Sequence, residues 1–128
     1  MTLNDCYRGL RTLLEMARVA LAVPGVERQR RRSSLHLAVS EARRRSPRSP
    51  ARSLEQRAQL RRAIAFVDAR MLAGPNCVRR SLLEMTLDRG AANEKLLAGF
   101  VSGGGPKSGH AWLESEPTRQ RFDAVVAL

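Results

Sequence analysis

Aromatic residues are scarce in this sequence, and no apolar run is long enough to cross a membrane. The 128 residues include one Trp, one Tyr and three Phe, so aliphatic side chains must form most of any core. These aromatics are not interleaved with basic residues, which argues against a protein that stacks nucleic-acid bases. The apolar run from Leu13 to Val23 is interrupted by Glu15 and Arg18, is too short for a bilayer, and follows no basic segment typical of a signal peptide. We therefore expect a cytoplasmic protein.

Cysteine is equally scarce, since the sequence contains only Cys6 and Cys77. The two are far apart, form no Cys-x-x-Cys pair and have no histidine at a zinc-ligand spacing. This pattern argues against a disulfide framework and a metal site, and it favours a reducing compartment. No helix is predicted after the glycines at Gly103–Gly105, so they do not form a phosphate cradle. We expect no cofactor, and we expect this stretch to be a flexible loop beside which substrate approaches.

Acidic residues are scarce in the first half of the chain. Residues 1–62 contain 15 Arg and five acidic residues, whereas residues 63–128 are nearly balanced, so the net charge of +11 belongs mainly to the N-terminal half. Such a basic surface attracts nucleic acid, an anionic membrane or an acidic peptide, and charge alone does not choose among them.

The N-terminal half predicts two helices and a linker within a single-domain length. Apolar residues at helical spacing predict an amphipathic helix that ends at Pro24-Gly25 and packs on the domain or lies on a membrane surface. A short helix is predicted over Ser34–Arg43, and an exposed Arg/Ser/Pro linker over Arg43–Pro50. The apolar positions of the first helix are Leu3, Tyr7, Leu10, Leu14, Ala17 and Leu21.

Two further helices are predicted by their capping residues. Ser53 and Gln56 form the pattern of a capping box at the start of a helix that runs to about Leu72. Asn76 is a favourable N-cap for the next helix, which runs from Cys77 to Arg89 and stops at Gly90. We therefore divide the chain into a basic helical region with its linker, residues 1–52, and a core, residues 53–128.

Three short apolar segments after Gly90 predict strands. They cover Lys95–Val101, His110–Glu114 and Phe122–Leu128. Helices followed by a small antiparallel sheet make an α+β domain. Alternation along the second strand places His110 and Trp112 on one face, where the indole either walls a site or packs in the core.

The residues that suggest chemistry are Cys77 and His110. Unpaired N–H groups and the helix dipole favour a negative charge at a helix start, which is what a nucleophilic thiolate needs. A histidine opening a nearby strand could accept the thiol proton, and Asp123 on the third strand could orient the histidine. Taken singly, Cys77 is better explained as a small buried hydrophobe than as a nucleophile, and His36 is best explained as a surface or packing residue.

The segment from Asn76 to Leu128 resembles the transglutaminase-like cysteine protease superfamily, in which a catalytic helix packs on a small antiparallel sheet. Within it, the chain looks most like the small leader peptidases that mature lasso peptides, related to the C-terminal domain of the microcin-processing protein. The resemblance is carried by the cysteine at a helix start, the apolar strand, and His-Ala-Trp-Leu-Glu at residues 110–114.

This resemblance implies that Cys77 is the nucleophile, His110 the base and Asp123 the group that orients His110. Glu116 also lies near the family's acidic position. Asp123 is preferred because its strand could pair beside the strand of His110. The resemblance further implies three partners: the precursor peptide, a small leader-recognition protein and a macrolactam cyclase.

Two functions from different classes follow. The first is a cysteine peptidase that removes the leader from a ribosomally synthesised lasso-peptide precursor, with the basic region used for docking. The second is a non-catalytic basic binding module for nucleic acid or an anionic membrane, of which nucleic acid is disfavoured by the sparse aromatics.

Overall fold

The computed structural model of the protein describes residues 1–101, 109–116 and 121–128. In this part of the chain, five helices precede a three-stranded antiparallel sheet, which confirms the predicted α+β class. The predicted loop at Gly103–Gly105 lies outside the described residues. The elements are α1 (Leu3–Arg32), α2 (Leu35–Arg45), α3 (Leu54–Ala69), α4 (Cys77–Leu87), α5 (Arg89–Ala92), β1 (Leu96–Phe100), β2 (Gly109–Leu113) and β3 (Ala124–Ala127).

Helix α1 continues through Pro24 to Arg32, so the predicted end at Pro24-Gly25 is wrong. A proline inside a helix removes one backbone hydrogen bond and usually interrupts the helix. Here the helix is held against the core on both sides of the proline by three buried valines, Val19, Val23 and Val26. Tertiary packing therefore outweighs the local signal.

The first half of α1 does not pack as its apolar pattern predicts. The apolar side chains of this half that were expected to face the domain are between 51% and 93% exposed, namely Leu3, Tyr7, Leu10 and Leu14. Leu21, in the second half, is 83% exposed. None of the described helices combines the length and apolar character needed to span a membrane. Helix α1 therefore joins the core mainly through its second half, and the apolar side chains of its first half stay largely exposed.

Helix α2 extends to Arg45, so the prediction of an exposed linker is wrong for its first three arginines. The Arg43 guanidinium donates hydrogen bonds to three backbone carbonyls near the sheet, those of Ala92, Glu94 and Leu128. Arg44 and Arg45 both pair with Glu41. Arg43 therefore connects α2 to the sheet region, whereas Arg44 and Arg45 form ion pairs within α2.

One hydrophobic cluster joins the helices and the sheet, and α4 lies within it. Leu82, Leu83 and Met85 of α4 are at most 1% exposed. The cluster contains side chains from both sides of residue 52, from Val19 on α1 to Leu113 on β2. Residues on both sides of position 52 therefore share one core, and the division of the chain at residue 52 stays a prediction.

The ends of the two middle helices differ from the prediction by a few residues. Helix α3 begins with the predicted capping box of Ser53 and Gln56 and ends at Ala69. Helix α4 ends at Leu87, because the Asp88 carboxylate accepts hydrogen bonds from the backbone N–H groups of Gly90 and Ala91 and so starts α5. The glycine expected to stop the helix, Gly90, instead lies within α5.

The sheet order is β2-β1-β3, so the prediction that the terminal strand lies beside the strand of His110 is wrong. Gly99 on β1 stands opposite both His110 on β2 and Val125 on β3. The outer edge of β2 faces α4, where the backbone N–H of Ala111 donates to the sulfur of Cys77. The terminal strand therefore pairs with the other edge of β1.

Candidate active site

A tight turn delivers Cys77 to the start of α4. The turn closes through a hydrogen bond from the Gly74 N–H to the Met71 carbonyl, 2.9 Å. Gly74 has φ = 80°, a conformation that costs little only for glycine. The side chain of Asn76 then accepts a hydrogen bond of 2.9 Å from the Arg79 N–H, which confirms Asn76 as the N-cap.

A buried ion pair between Arg79 and Asp68 holds this turn in place. The Arg79 guanidinium, 0% exposed, donates to the carboxylate of Asp68 at 2.6 Å and to the carbonyl of Gly74 at 2.6 Å. The other oxygen of Asp68 accepts the Asn76 N–H at 3.0 Å. Glu27 on α1 contributes a second carboxylate at 3.3 Å from Arg79. The residues that flank Cys77 are therefore anchored to α1, α3 and α4 together.

The thiol of Cys77 lies between α4 and the edge of β2. Its sulfur accepts a hydrogen bond of 3.4 Å from the backbone N–H of Ala111, the residue after His110. The side chain is half-buried, and it stands at the helix terminus where backbone N–H groups favour negative charge. The sulfur therefore receives one N–H donor from the strand that carries the histidine.

The ring of His110 belongs to a stack of three nearly parallel rings. Its centroid lies 5.7 Å from that of Trp112 and 6.3 Å from that of Phe122, and the Trp112 and Phe122 rings are 4.9 Å apart. Phe122 reaches this face by lying across Gly99, where an added Cβ would come within 2.5 Å of its ring. Trp112 is 6% exposed, so its indole is buried within this stack.

Cys77 and His110 line the same cleft, a cavity of about 280 Å³ between α3, α4 and β2. Ser81, Glu84 and Glu116 also line it. A larger cavity of about 580 Å³ lies between the first half of α1 and residues 47–52, and neither Cys77 nor His110 is part of its described lining. Side-chain chemistry, and not size, therefore identifies the smaller cleft as the candidate active site.

The two acidic candidates occupy different places. Glu116 lines the cleft, and its carboxylate accepts the Leu113 N–H at 3.4 Å. Asp123 precedes β3, and its N–H donates to the Phe100 carbonyl at 3.0 Å. Asp123 follows directly after Phe122 but does not belong to the described lining of the cleft. The carboxylate that partners His110 therefore stays a prediction.

The sequence did not point to Phe122, Arg79 or Asp68 as residues of this site. Gly99 inside an apolar strand was an available signal, because an interior strand glycine often marks a close approach by another group. No comparable signal existed for the Asp68–Arg79 pair, since charged residues are expected at the surface.

Among the described residues, no group of three His, Cys, Asp or Glu side chains could hold a metal ion.

Comparison with known proteins gave one family. The sequence model of a family described as the transglutaminase-like superfamily matches residues 19–123, a span that includes α3, α4 and the sheet up to Asp123. The comparisons with curated proteins and with solved structures gave no match.

Proposed function

The chain belongs to the transglutaminase-like superfamily, and from this premise we propose that it is a cysteine peptidase that removes the leader from a ribosomally synthesised lasso-peptide precursor. The observation that carries the peptidase proposal is that Cys77 and His110 line one cleft, with the thiol at the start of α4. The choice of a lasso-peptide precursor is supported by the resemblance of residues 76–128 to leader peptidases.

In the proposed reaction, Cys77 gives its proton to His110 and its sulfur attacks the carbonyl carbon of the scissile peptide bond. The C–N bond then breaks, the departing amine takes the proton from His110, and the acyl group remains on sulfur as a thioester. Water attacks the thioester, passes a proton to His110 and regenerates the thiol. The first N–H groups of α4, which have no acceptor within the helix, stabilise the oxyanion.

For the group that orients His110 we keep Asp123 as the proposal, because the resemblance assigns it and because its neighbour Phe122 stacks on the histidine ring. Glu116 is the competing candidate, because it lines the cleft. Loss of the orienting carboxylate lowers the rate by about 10⁴-fold in other triads. We therefore expect Asp123→Asn to lose activity on that scale and Glu116→Gln to stay near wild type. The reverse result assigns the role to Glu116.

The resemblance also implies a precursor peptide, a small leader-recognition protein and a macrolactam cyclase as partners. We propose that the leader-recognition protein docks on the first half of α1, where exposed Tyr7, Leu10 and Leu14 line the larger cavity together with Arg11 and Arg18. Leu10→Asp should then weaken binding of that protein in calorimetry. Leu72→Asp, at a fully exposed leucine outside the cavity, should leave binding unchanged.

The nucleophile is tested by cleavage of a lasso-peptide precursor, with the products followed by mass spectrometry. Cys77→Ala should lower the rate at least about 10³-fold, because covalent catalysis is lost. Cys6→Ala, which removes the exposed cysteine on α1, serves as the matched control and should cleave at the wild-type rate. Full cleavage by Cys77→Ala would overturn the proposal.

A non-catalytic binding module for an anionic membrane is the competing function, favoured by the exposed apolar residues beside arginines on α1. The Cys77→Ala protein distinguishes the peptidase from the binding module. Its binding is measured by flotation with vesicles that contain anionic lipid and by titration with RNA. Tight and salt-sensitive binding that is indifferent to the precursor peptide would favour the binding module.

A further inference from the structure

Three arginines line the cleft that contains Cys77. Arg61 and Arg62 belong to α3 and Arg80 belongs to α4. Arg80 is three residues beyond Cys77 along the helix, so the two side chains are neighbours on one face, with about 5–6 Å between their Cβ atoms. Arg62 stands on the helix across the cleft. Positively charged side chains therefore line two walls of the cleft that contains the thiol.

One of these arginines is already neutralised within the protein. Arg61 donates to the Glu84 carboxylate at 2.7 Å and to the Ser115 hydroxyl at 3.0 Å. The same oxygen of Glu84 also pairs with Arg57 at 2.8 Å. Glu84 is 4% exposed, so this carboxylate is engaged and turned away from solvent. Neither Arg61 nor Glu84 is available to a bound peptide.

The other two guanidinium groups are left without a full partner. Among the described residues, no carboxylate lies within ion-pair distance of Arg62. The Arg80 guanidinium lies 3.6 Å from an oxygen of Asp68, which is longer than a hydrogen bond. That oxygen already accepts the Asn76 N–H, and 44% of the Arg80 side chain is exposed. Arg62 is therefore available to an external anion, and Arg80, which has only this long ion pair and is partly exposed, can also donate to one.

The remaining acidic group in the cleft lining is Glu116, whose carboxylate accepts the Leu113 N–H. A single carboxylate does not neutralise both Arg62 and Arg80. The cavity of about 280 Å³ is slightly smaller than most small-molecule sites, which measure about 300–1,000 Å³. It therefore suits a side chain or two of an extended peptide, and its free donors match the planar geometry of a carboxylate.

We propose that Arg62 and Arg80 make this cleft selective for an Asp or Glu side chain beside the scissile bond of the substrate. The cleavage step rests on the proposed peptidase function, whereas the attraction of a carboxylate to the cleft does not. The two are therefore tested separately, first with a small thiol reagent and then with peptides.

The first experiment compares alkylation of Cys77 by iodoacetate, which is an anion, and by iodoacetamide, which is neutral. A Cys6→Ser background leaves Cys77 as the single thiol, and mass spectrometry follows its labelling at low salt. We expect an iodoacetate-to-iodoacetamide rate ratio about three- to tenfold above that of N-acetylcysteine amide, which has no carboxylate of its own, because two nearby positive charges raise the local concentration of the anion. The excess should shrink when salt is added.

Charge-neutral variants assign that excess to the two arginines. Arg62→Gln and Arg80→Gln should each lower the rate ratio, and the double variant should bring it close to that of N-acetylcysteine amide. Arg48→Gln, at an exposed arginine away from the cleft, is the matched control and should keep the wild-type ratio. A wild-type ratio equal to that of N-acetylcysteine amide, or one unchanged by the double variant, overturns the proposal.

The second experiment profiles cleavage of a peptide library prepared by chymotryptic digestion of a bacterial proteome, which keeps acidic and basic residues at internal positions. We expect Asp and Glu to be enriched at a position next to the cleaved bond, and we expect Arg80→Glu to replace that preference by Lys and Arg. Cleavage that depends on Cys77 but shows no acidic enrichment overturns the inference and leaves the peptidase function standing. A high iodoacetate ratio without any Cys77-dependent cleavage supports the anion site and counts against the peptidase function.

Discussion

At the scale of single residues, the site depends on a glycine in β1. Gly99 leaves room for Phe122 to lie flat across β1 and reach the ring of His110, 6.3 Å between centroids. The ring planes of His110 and Phe122 differ by 8°. Stacked rings in contact restrict rotation of the imidazole. Gly99 and Phe122 therefore act as positioning residues for His110.

Gly99→Ala should displace Phe122 and release the histidine ring. The added Cβ would come within 2.5 Å of the Phe122 ring, and overpacking of this kind lowers the free energy of unfolding by about 1–3 kcal/mol. In proton NMR, the imidazole resonances of His110 should move toward those of His36, an exposed histidine, as the ring currents of the stack are lost.

Two further variants test this interpretation. Phe122→Leu should reproduce the shift without crowding β1. Gly9→Ala, where an added Cβ meets nothing within 4 Å, should leave the His110 resonances in place. Unchanged His110 resonances in both Gly99→Ala and Phe122→Leu would show that the stack does not position the ring.

At the scale of elements, α1 is a helix with two different halves. Its second half carries the buried valines and contributes Glu27 to the anchor of the Cys77 turn. Its first half is exposed along its apolar positions. The stability of the domain should therefore depend on the second half, and the first half should be available for contacts with a partner.

Matched substitutions on α1 should separate the halves in urea unfolding. Val23→Ala removes two buried methyl groups, and at about 0.8 kcal/mol for each plus a cavity it should cost about 2 kcal/mol. Leu10→Ala, at a side chain that is 54% exposed, should change the free energy of unfolding by less than about 0.5 kcal/mol. Equal losses in the two variants would mean that the first half of α1 is packed in solution.

At the scale of the whole molecule, a chain of net charge +11 depends on its few carboxylates to hold arginines together. Hydrogen bonds from Arg30, with a further contribution from Arg79, lower the pKa of Glu27. Burial alone would raise the pKa of Glu94, but hydrogen bonds from Ser115 and Arg57 lower it overall. Arg44 and Arg45 lower the pKa of Glu41 to about 2. Each of these groups therefore favours folding while it is ionised.

The free energy of unfolding should fall on acidification. A carboxylate whose folded pKa is depressed contributes fully above its unfolded pKa, which is near 4.5 for Glu, and loses that contribution as the pH falls through the folded value. Urea midpoints should therefore be flat above about pH 5 and decrease from about pH 4.5 toward pH 2. Glu41 should contribute little because exposed ion pairs are weak.

Glu94→Gln should lower stability at neutral pH and reduce the slope of stability against pH below pH 4.5. Glu55→Gln, at an exposed carboxylate with no ion pair among the described residues, is the matched control and should retain the wild-type slope. An acid transition that is identical in the two variants would exclude Glu94 as a contributor.

The sequence alone was sufficient for features that depend on neighbouring residues. The capping box of Ser53 and the N-cap of Asn76 each join groups three residues apart, so the starts of α3 and α4 and the place of Cys77 were predictable. The two faces of β2 followed from alternation along the strand. These local signals, taken in order along the chain, were enough to predict the α+β class.

The tertiary structure alone decided the features in which distant segments compete for one surface. Helix α1 passes Pro24 because buried valines hold it to the core. Strand β3 pairs with β1 because the outer edge of β2 faces Cys77. Arg79 is buried because Asp68 and the Gly74 carbonyl satisfy its guanidinium. The physical reason is common to all three: the free energy of each choice lies in contacts between residues that are remote in sequence, which no local pattern encodes.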